Sequence, residues 1–238
     1  MSQDHRHVAE IEDGIYRIHT PVSELPGGFS FNQYLVRDGD EALLFHTGPR
    51  ALAPRVIDAV AHVVPLAQLR YVAFGHVEAD ECGGLNAILE AAPEAVPVCG
   101  RVGAMVQVND LADRPPRALA DAETLALGDR RLTWIDAPHV PHGWDNGYLH
   151  DETSETLFCG DLFTQPGTGA APVVDADLLG PSEAFRAQMD YFAHAPQTGE
   201  VLDRLAALAP RTLACMHGSA YRGDGAAQLR ALRQALMG

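Results

Sequence analysis

Apolar positions along this chain fall into two alternating rhythms. In the first half, three runs read as strands: Gly14-Ile15-Tyr16-Arg17-Ile18-His19, Phe31-Asn32-Gln33-Tyr34-Leu35-Val36 and Ala42-Leu43-Leu44-Phe45-His46. The turn signals Pro26-Gly27-Gly28 and Asp38-Gly39-Asp40 separate them. Residues 52–65 instead carry apolar side chains at helical spacing and run out near Pro65. A strand is expected at 68–75, a helix from Gly84 to Ala92, and a short strand at Ala95-Val96-Pro97-Val98-Cys99. Its proline cannot donate to a ladder, which places that strand toward a sheet edge.

The second half repeats the rhythm. Strands are expected at Leu132–Asp136, Gly147–Leu149, Thr156–Cys159 and Arg211–Met216, with helices around 182–194, 198–208 and 225–237. Strands outnumber helices in each half, and each half brings helices to cover them. Two sheets packed together with helices outside answer that pattern. No low-complexity linker divides the chain, so a single domain over 1–238 is expected. The segment 162–181, rich in Gly, Pro and Ala, is long for a connector and is a candidate lid or substrate-channel loop.

At 238 residues the chain can bury a substantial core, and no apolar run approaches a membrane span. Its first residues, Met1-Ser2-Gln3-Asp4-His5-Arg6-His7, hold no apolar signal core, which sets the expectation at cytoplasmic. The net charge is −15, and all 17 basic residues are arginine. Acidity of this size argues against nucleic acid or an anionic membrane as partner. The lack of lysine excludes Schiff-base chemistry and a phosphate-loop lysine. Cys82, Cys99, Cys159 and Cys215 show no C-x-x-C spacing, so neither a zinc knuckle nor a dithiol site is expected. Cys159 and Cys215 suit small thiols buried in core strands, with thiolate ligation the less favoured alternative.

One stretch points to chemistry. In Gly75-His76-Val77-Glu78-Ala79-Asp80-Glu81-Cys82-Gly83-Gly84, metal-competent side chains stand at alternate positions directly after Tyr71-Val72-Ala73-Phe74. An extended backbone would put His76, Glu78 and Asp80 on one face at the end of a strand. One imidazole with two carboxylates is a hard, oxygen-rich donor set that leans toward iron or manganese. Taken alone, the stretch also fits a polar turn between strand and helix. Three later sites shift the balance: Pro138-His139-Val140-Pro141-His142-Gly143, Phe158-Cys159-Gly160-Asp161 and Met216-His217-Gly218.

In this order the residues resemble the metallo-β-lactamase fold, from Asp13-Gly14-Ile15-Tyr16 through Met216-His217-Gly218. The resemblance implies an α+β, four-layered αββα sandwich whose ligands all sit on loops at one edge. Hydrolases of that superfamily carry H-x-H-x-D-H. Glu78 in the second ligand place is similar instead to the flavodiiron and oxygen-binding diiron branch, as are Phe31–Val36 and Leu157–Phe163. By the resemblance, His76, Glu78 and His142 hold a first iron, Asp80 and His217 a second, and Asp161 bridges. His142 is preferred to His139 because its 19-residue spacing to Asp161 is the one the branch shows.

Two positions depart from the branch. Glu81 stands where a histidine ligand to the second metal is usual. It is expected to ligate through oxygen, to leave the place to water, or to sit as a first-turn carboxylate of the following helix. His46, in Phe45-His46-Thr47-Gly48, replaces the usual strand-end aspartate, and either hydrogen-bonds a metal ligand or has a structural place.

The resemblance implies a non-haem protein with two iron ions, zinc or manganese being the alternatives. It would bind O2, or reduce O2 or NO with electrons from a donor protein, as a homodimer. No G-x-G-x-x-G fingerprint is present, and the chain reads as a stand-alone domain, so electrons are expected from a partner. Two other readings stay open at this stage. One is a binuclear hydrolase of an ester, lactone or thioester; the other is an oxygen sensor that binds without turnover.

Overall fold

Successive N-terminal strands pair with one another in chain order. In the computed structural model, which describes residues 7–169 and 171–238, β1 (Val8–Glu12), β2 (Ile15–Val22), β3 (Phe29–Asp38), β4 (Glu41–Phe45), β5 (Leu69–Ala73), β6 (Val96–Gly100) and β7 (Arg117–Leu119) form one sheet. The first four are antiparallel, whereas β4 to β7 pair in parallel. Parallel neighbours need crossovers. The helices Ala53–Val63 and Leu85–Ala91 supply those between β4, β5 and β6.

The second sheet is built from β8 (Thr124–Leu127), β9 (Arg130–Asp136), β10 (Gly147–Asp151), β11 (Thr156–Gly160), β12 (Val173–Val174), β13 (Thr212–Cys215) and β14 (Ala220–Arg222). Their order is β12-β14-β13-β11-β10-β9-β8, with β11 and β13 parallel.

Strand alternation explains the layering. Leu43 and Phe45 turn inward to meet Trp134, Leu149 and Phe158 between the sheets. Leu44, between them in sequence, turns outward onto Val56, Val60 and Leu85 of the helices. On the second sheet Phe158 faces inward, while Leu157 and Cys159 pack against Val201, Leu202, Leu205, Leu229 and Leu232 of the helices Thr198–Ala207 and Gly225–Met237. This is the expected αββα sandwich. All four cysteines are free and buried. Among the described residues, no helix is long and apolar enough to cross a membrane.

Several expectations need correction. Pro97 does not place β6 at the edge: β7 pairs with Val98, Cys99 and Gly100, starting just beyond the proline. The helix expected around 182–194 covers Leu179–Arg186 instead. Pro181 suits its first turn, and past it the Asp190 carboxylate accepts from the Phe192 amide and contacts His194, which stabilises a turn. Within segment 162–181, described residues are tied to the rest of the fold. Gly167 N donates to Gly28 O at 3.0 Å, Arg17 donates to Gly169 O at 2.8 Å, and β12 joins the second sheet.

Candidate metal centre

The strands that lead into the centre end at one edge of the sandwich: β4 at Phe45, β5 at Ala73, β9 at Asp136, β11 at Gly160 and β13 at Cys215. Pairing of Phe45 with Ala73 and of Gly160 with Cys215 sets the following loops side by side within each sheet. Hydrogen bonds then lace the two sheets together, from Gly147 N to Gly75 O at 3.0 Å and from Asn32 N to Met216 O at 2.8 Å.

Beyond β5 the backbone bends over residues 75–77, is extended at Glu78, then winds into a helical turn over Ala79–Cys82. His76 and Glu78 still meet, while Asp80 is turned away from them. His76 Nε2 lies 2.8 Å from Glu78 Oε2, and His142 Nε2 lies 3.0 Å from the same oxygen. Asp161 Oδ2 lies 3.4 Å from His142 Nε2 and 3.9 Å from His76 Nε2. Donor atoms of these four residues all fall within 4.8 Å of one another.

The other oxygen of Asp161 looks the opposite way. Its Oδ1 is 3.2 Å from His217 Nε2, and Asp80 Oδ2 is 3.6 Å from that nitrogen. Glu81 is not brought to this second group. Its carboxylate points back to His76 and His46, at 3.2 Å from His76 Nδ1 and 3.4 Å from His46 Nε2. His139 is exposed and lies outside both groups, with its backbone in the left-handed region at φ 64°.

Each inward-facing imidazole is steadied from behind. His142 Nδ1 donates to the Tyr191 carbonyl at 2.8 Å, and His217 Nδ1 donates to the Ser30 carbonyl at 2.9 Å. The His217–Gly218 turn is itself held by Asn32 and Arg17. Asn32 Nδ2 donates to the carbonyls of Cys215 and Gly218, at 2.9 and 2.8 Å, and Arg17 donates to Gly218 O at 2.8 Å. Sequence reasoning missed all four of these supports. Arg17 did carry a signal, since it shares the inward face of β2 with Ile15; main-chain carbonyls carry none. Gly143 closes the arrangement, because a Cβ there would sit 2.8 Å from His76 Cδ2.

The electrostatics call for cations. Burial pushes the Asp80 carboxyl up to about 6, His217 opposing and the Asp161, Glu78 and Glu81 charges adding. Burial disfavours charge on His76, yet the carboxylates of Glu81, Glu78 and Asp161 push it up to about 12. Glu78 is held well below the usual carboxylate range by its hydrogen bonds to His142 and His76. Asp161 Oδ2 and Asp80 Oδ1 are buried with no hydrogen-bond partner. Orphaned acceptors of this kind are costly unless something positive satisfies them. The Nε2 atoms of His142 and His217, facing inward while Nδ1 donates to a carbonyl behind, match what metal-bound histidines need.

The sequence profile of ODP family beta lactamases matches residues 29–218. The chain belongs to that family. Among curated proteins it is similar to the rubredoxin-oxygen oxidoreductase of Megalodesulfovibrio gigas, 28% identical over 207 residues, 83% of this chain and 50% of that protein. It is also similar to the nitric oxide reductase of Moorella thermoacetica, 26% identical over 167 residues, 65% of this chain and 41% of that protein. Among solved structures, the flavodiiron core of Flv1 from Synechocystis sp. superposes with a TM-score of 0.82 at 24% identity, covering 96% of this chain and 60% of that one. The family and fold agree with the sequence resemblance. The chain spans half or less of the length of these two curated relatives.

Proposed function

We propose that this chain is a diiron protein that binds O2 and reduces O2 or NO with electrons from a donor protein. In this reading His76, Glu78, His142 and one oxygen of Asp161 hold the first iron. Asp80, His217 and the other oxygen of Asp161 hold the second. The split of Asp161 between the two groups carries the proposal, since a shared carboxylate is what sets two cations side by side. Two irons so placed supply adjacent one-electron redox centres, as reduction of a diatomic requires.

The residues around the groups suit a small apolar ligand. Glu78 is 47% exposed and His142 30%, which makes theirs the open side. Phe29 and Phe31 wall off the buried side, with ring centroids 4.4 and 5.6 Å from that of His217. Apolar walls admit O2 or NO while discouraging water. The names of the two relatives, one an oxygen oxidoreductase paired with rubredoxin and one a nitric oxide reductase, support this choice of ligand and of an external electron donor. We read residues 1–238 as one domain, acting as a cytoplasmic homodimer without nucleic acid or membrane.

Elemental analysis and a visible spectrum of protein from iron-supplemented cells test the reading. Two irons per chain and a ferric absorption band that bleaches on reduction and returns with O2 are expected. Two zinc ions and no iron would overturn it in favour of a hydrolase.

A further inference from the structure

Glu81 is fully buried, and the metal assignment leaves it unused. The geometry gives it a place. Successive side chains in a helical turn are rotated by roughly 100°. So while Asp80 faces His217, Glu81 is carried round behind His76. Its Oε2 accepts from the His76 main-chain N–H at 2.7 Å. Its Oε1 lies 3.2 Å from His76 Nδ1, and 3.4 Å from His46 Nε2 on the far side.

His46 is unusual in its own right. It is 1% exposed, its φ is 67°, and its ring lies 4.2 Å from that of Phe45. Neither ring nitrogen has an aligned hydrogen-bond partner. A non-glycine residue in left-handed backbone persists where its surroundings hold it there. What His46 faces is the carboxylate of Glu81. A buried carboxylate without polar company is costly, and the two imidazoles and the His76 amide provide that company.

We infer that Glu81 is a positioning residue for His76 rather than a metal ligand. It fixes the His76 main chain through the amide and packs Oε1 against the Nδ1 side of the ring, so that with a cation on Nε2 the one remaining ring proton would face Glu81, while His46 backs the carboxylate from behind. The departures at positions 46 and 81 then become one feature: two touching residues, an imidazole and a carboxylate, that have exchanged places. The consequence for iron rests on the diiron reading; the placing of His76 by Glu81 does not.

Nitrogen-15 imidazole spectra of the full chain, loaded with zinc as a diamagnetic probe, test this directly. In the zinc-loaded wild type His76 is expected to bind through Nε2 and to carry its one ring proton on Nδ1, facing Glu81. In zinc-loaded Glu81→Gln that Nδ1 proton, without the carboxylate beside it, should exchange with solvent faster than in the wild type. Two zinc ions per chain should still bind, with one of them released about 10–100-fold more readily to a chelator, as for loss of an outer hydrogen-bond partner. A fall from two metals to one in Glu81→Gln would make Glu81 a ligand and overturn the inference. So would a zinc-loaded wild type in which His76 binds the metal through Nδ1, a measurement that needs no variant to fold. A wild type that takes up no iron, yet shows the Nδ1 proton in its zinc form, sinks the diiron reading and upholds this one.

Discussion

Oδ1 of Asp161 lies 3.2 Å from Nε2 of His217, just past the ends of two neighbouring parallel strands. Oδ2 of the same carboxylate serves the other group, 3.4 Å from His142. Asp161 thus belongs to both halves of the centre, and His217 to one.

Removing them should therefore give different metal counts. His217→Ala is expected to retain one metal per chain, and Asp161→Ala less than one. His139→Ala should retain both, since its side chain is exposed and outside both groups. Elemental analysis after gel filtration reads the three ratios. An empty His139→Ala with a full His142→Ala would reverse the assignment of the 137–146 loop.

Gly143 offers a test of shape without touching a ligand. Its φ is 74°, and an added Cβ would press on His76 Cδ2 at 2.8 Å. Left-handed backbone costs a non-glycine residue about 1–2 kcal/mol. Gly143→Ala should lose roughly that much stability in denaturant. It should also weaken metal binding about 10–100-fold in chelator competition, the range for disturbed support of a ligand. Unchanged metal affinity would mean that His76 can shift without consequence.

His19 predicts a pH dependence away from the metal groups. Burial, with the Arg17 guanidinium 2.8 Å from Nδ1, pushes it down to about 4 from an ordinary 6.5. The unfolded chain therefore binds the extra proton first. Stability is fully present above about 6.5 and drains away as pH falls toward 4. Denaturant midpoints of metal-free wild type and His19→Gln, measured across this window, should converge as pH falls. Parallel curves would show that His19 charges as easily in the fold as outside it.

How much of this was legible in the chain depends on what each signal encodes. The paired rhythms of strands and helices gave the sandwich, because alternation and helical spacing are written residue by residue. Short strands such as β7 and β12, two or three residues each, are too brief to show a period. His76, Glu78, His142, Asp161 and His217 are singled out by the resemblance to the diiron branch, with His142 preferred to His139 for its spacing to Asp161, and the fold brings their side chains together. For Asp80 alternation and resemblance differ: alternation sets it alongside Glu78, the resemblance with His217, and the backbone, turning helical at Ala79, aims it at His217. The setting of Glu81 was beyond reach, because position 46 is distant in sequence and meets it through sheet pairing.

The three imidazoles at the centre differ in how they are tethered. Ser30 and Tyr191 hold His217 and His142 through main-chain carbonyls, which every residue type possesses. Substitution at positions 30 and 191 therefore leaves those two tethers chemically intact. His76 alone of the three leans on a side chain, Glu81. Evolution has one adjustable screw here, and it turns the first half of the centre.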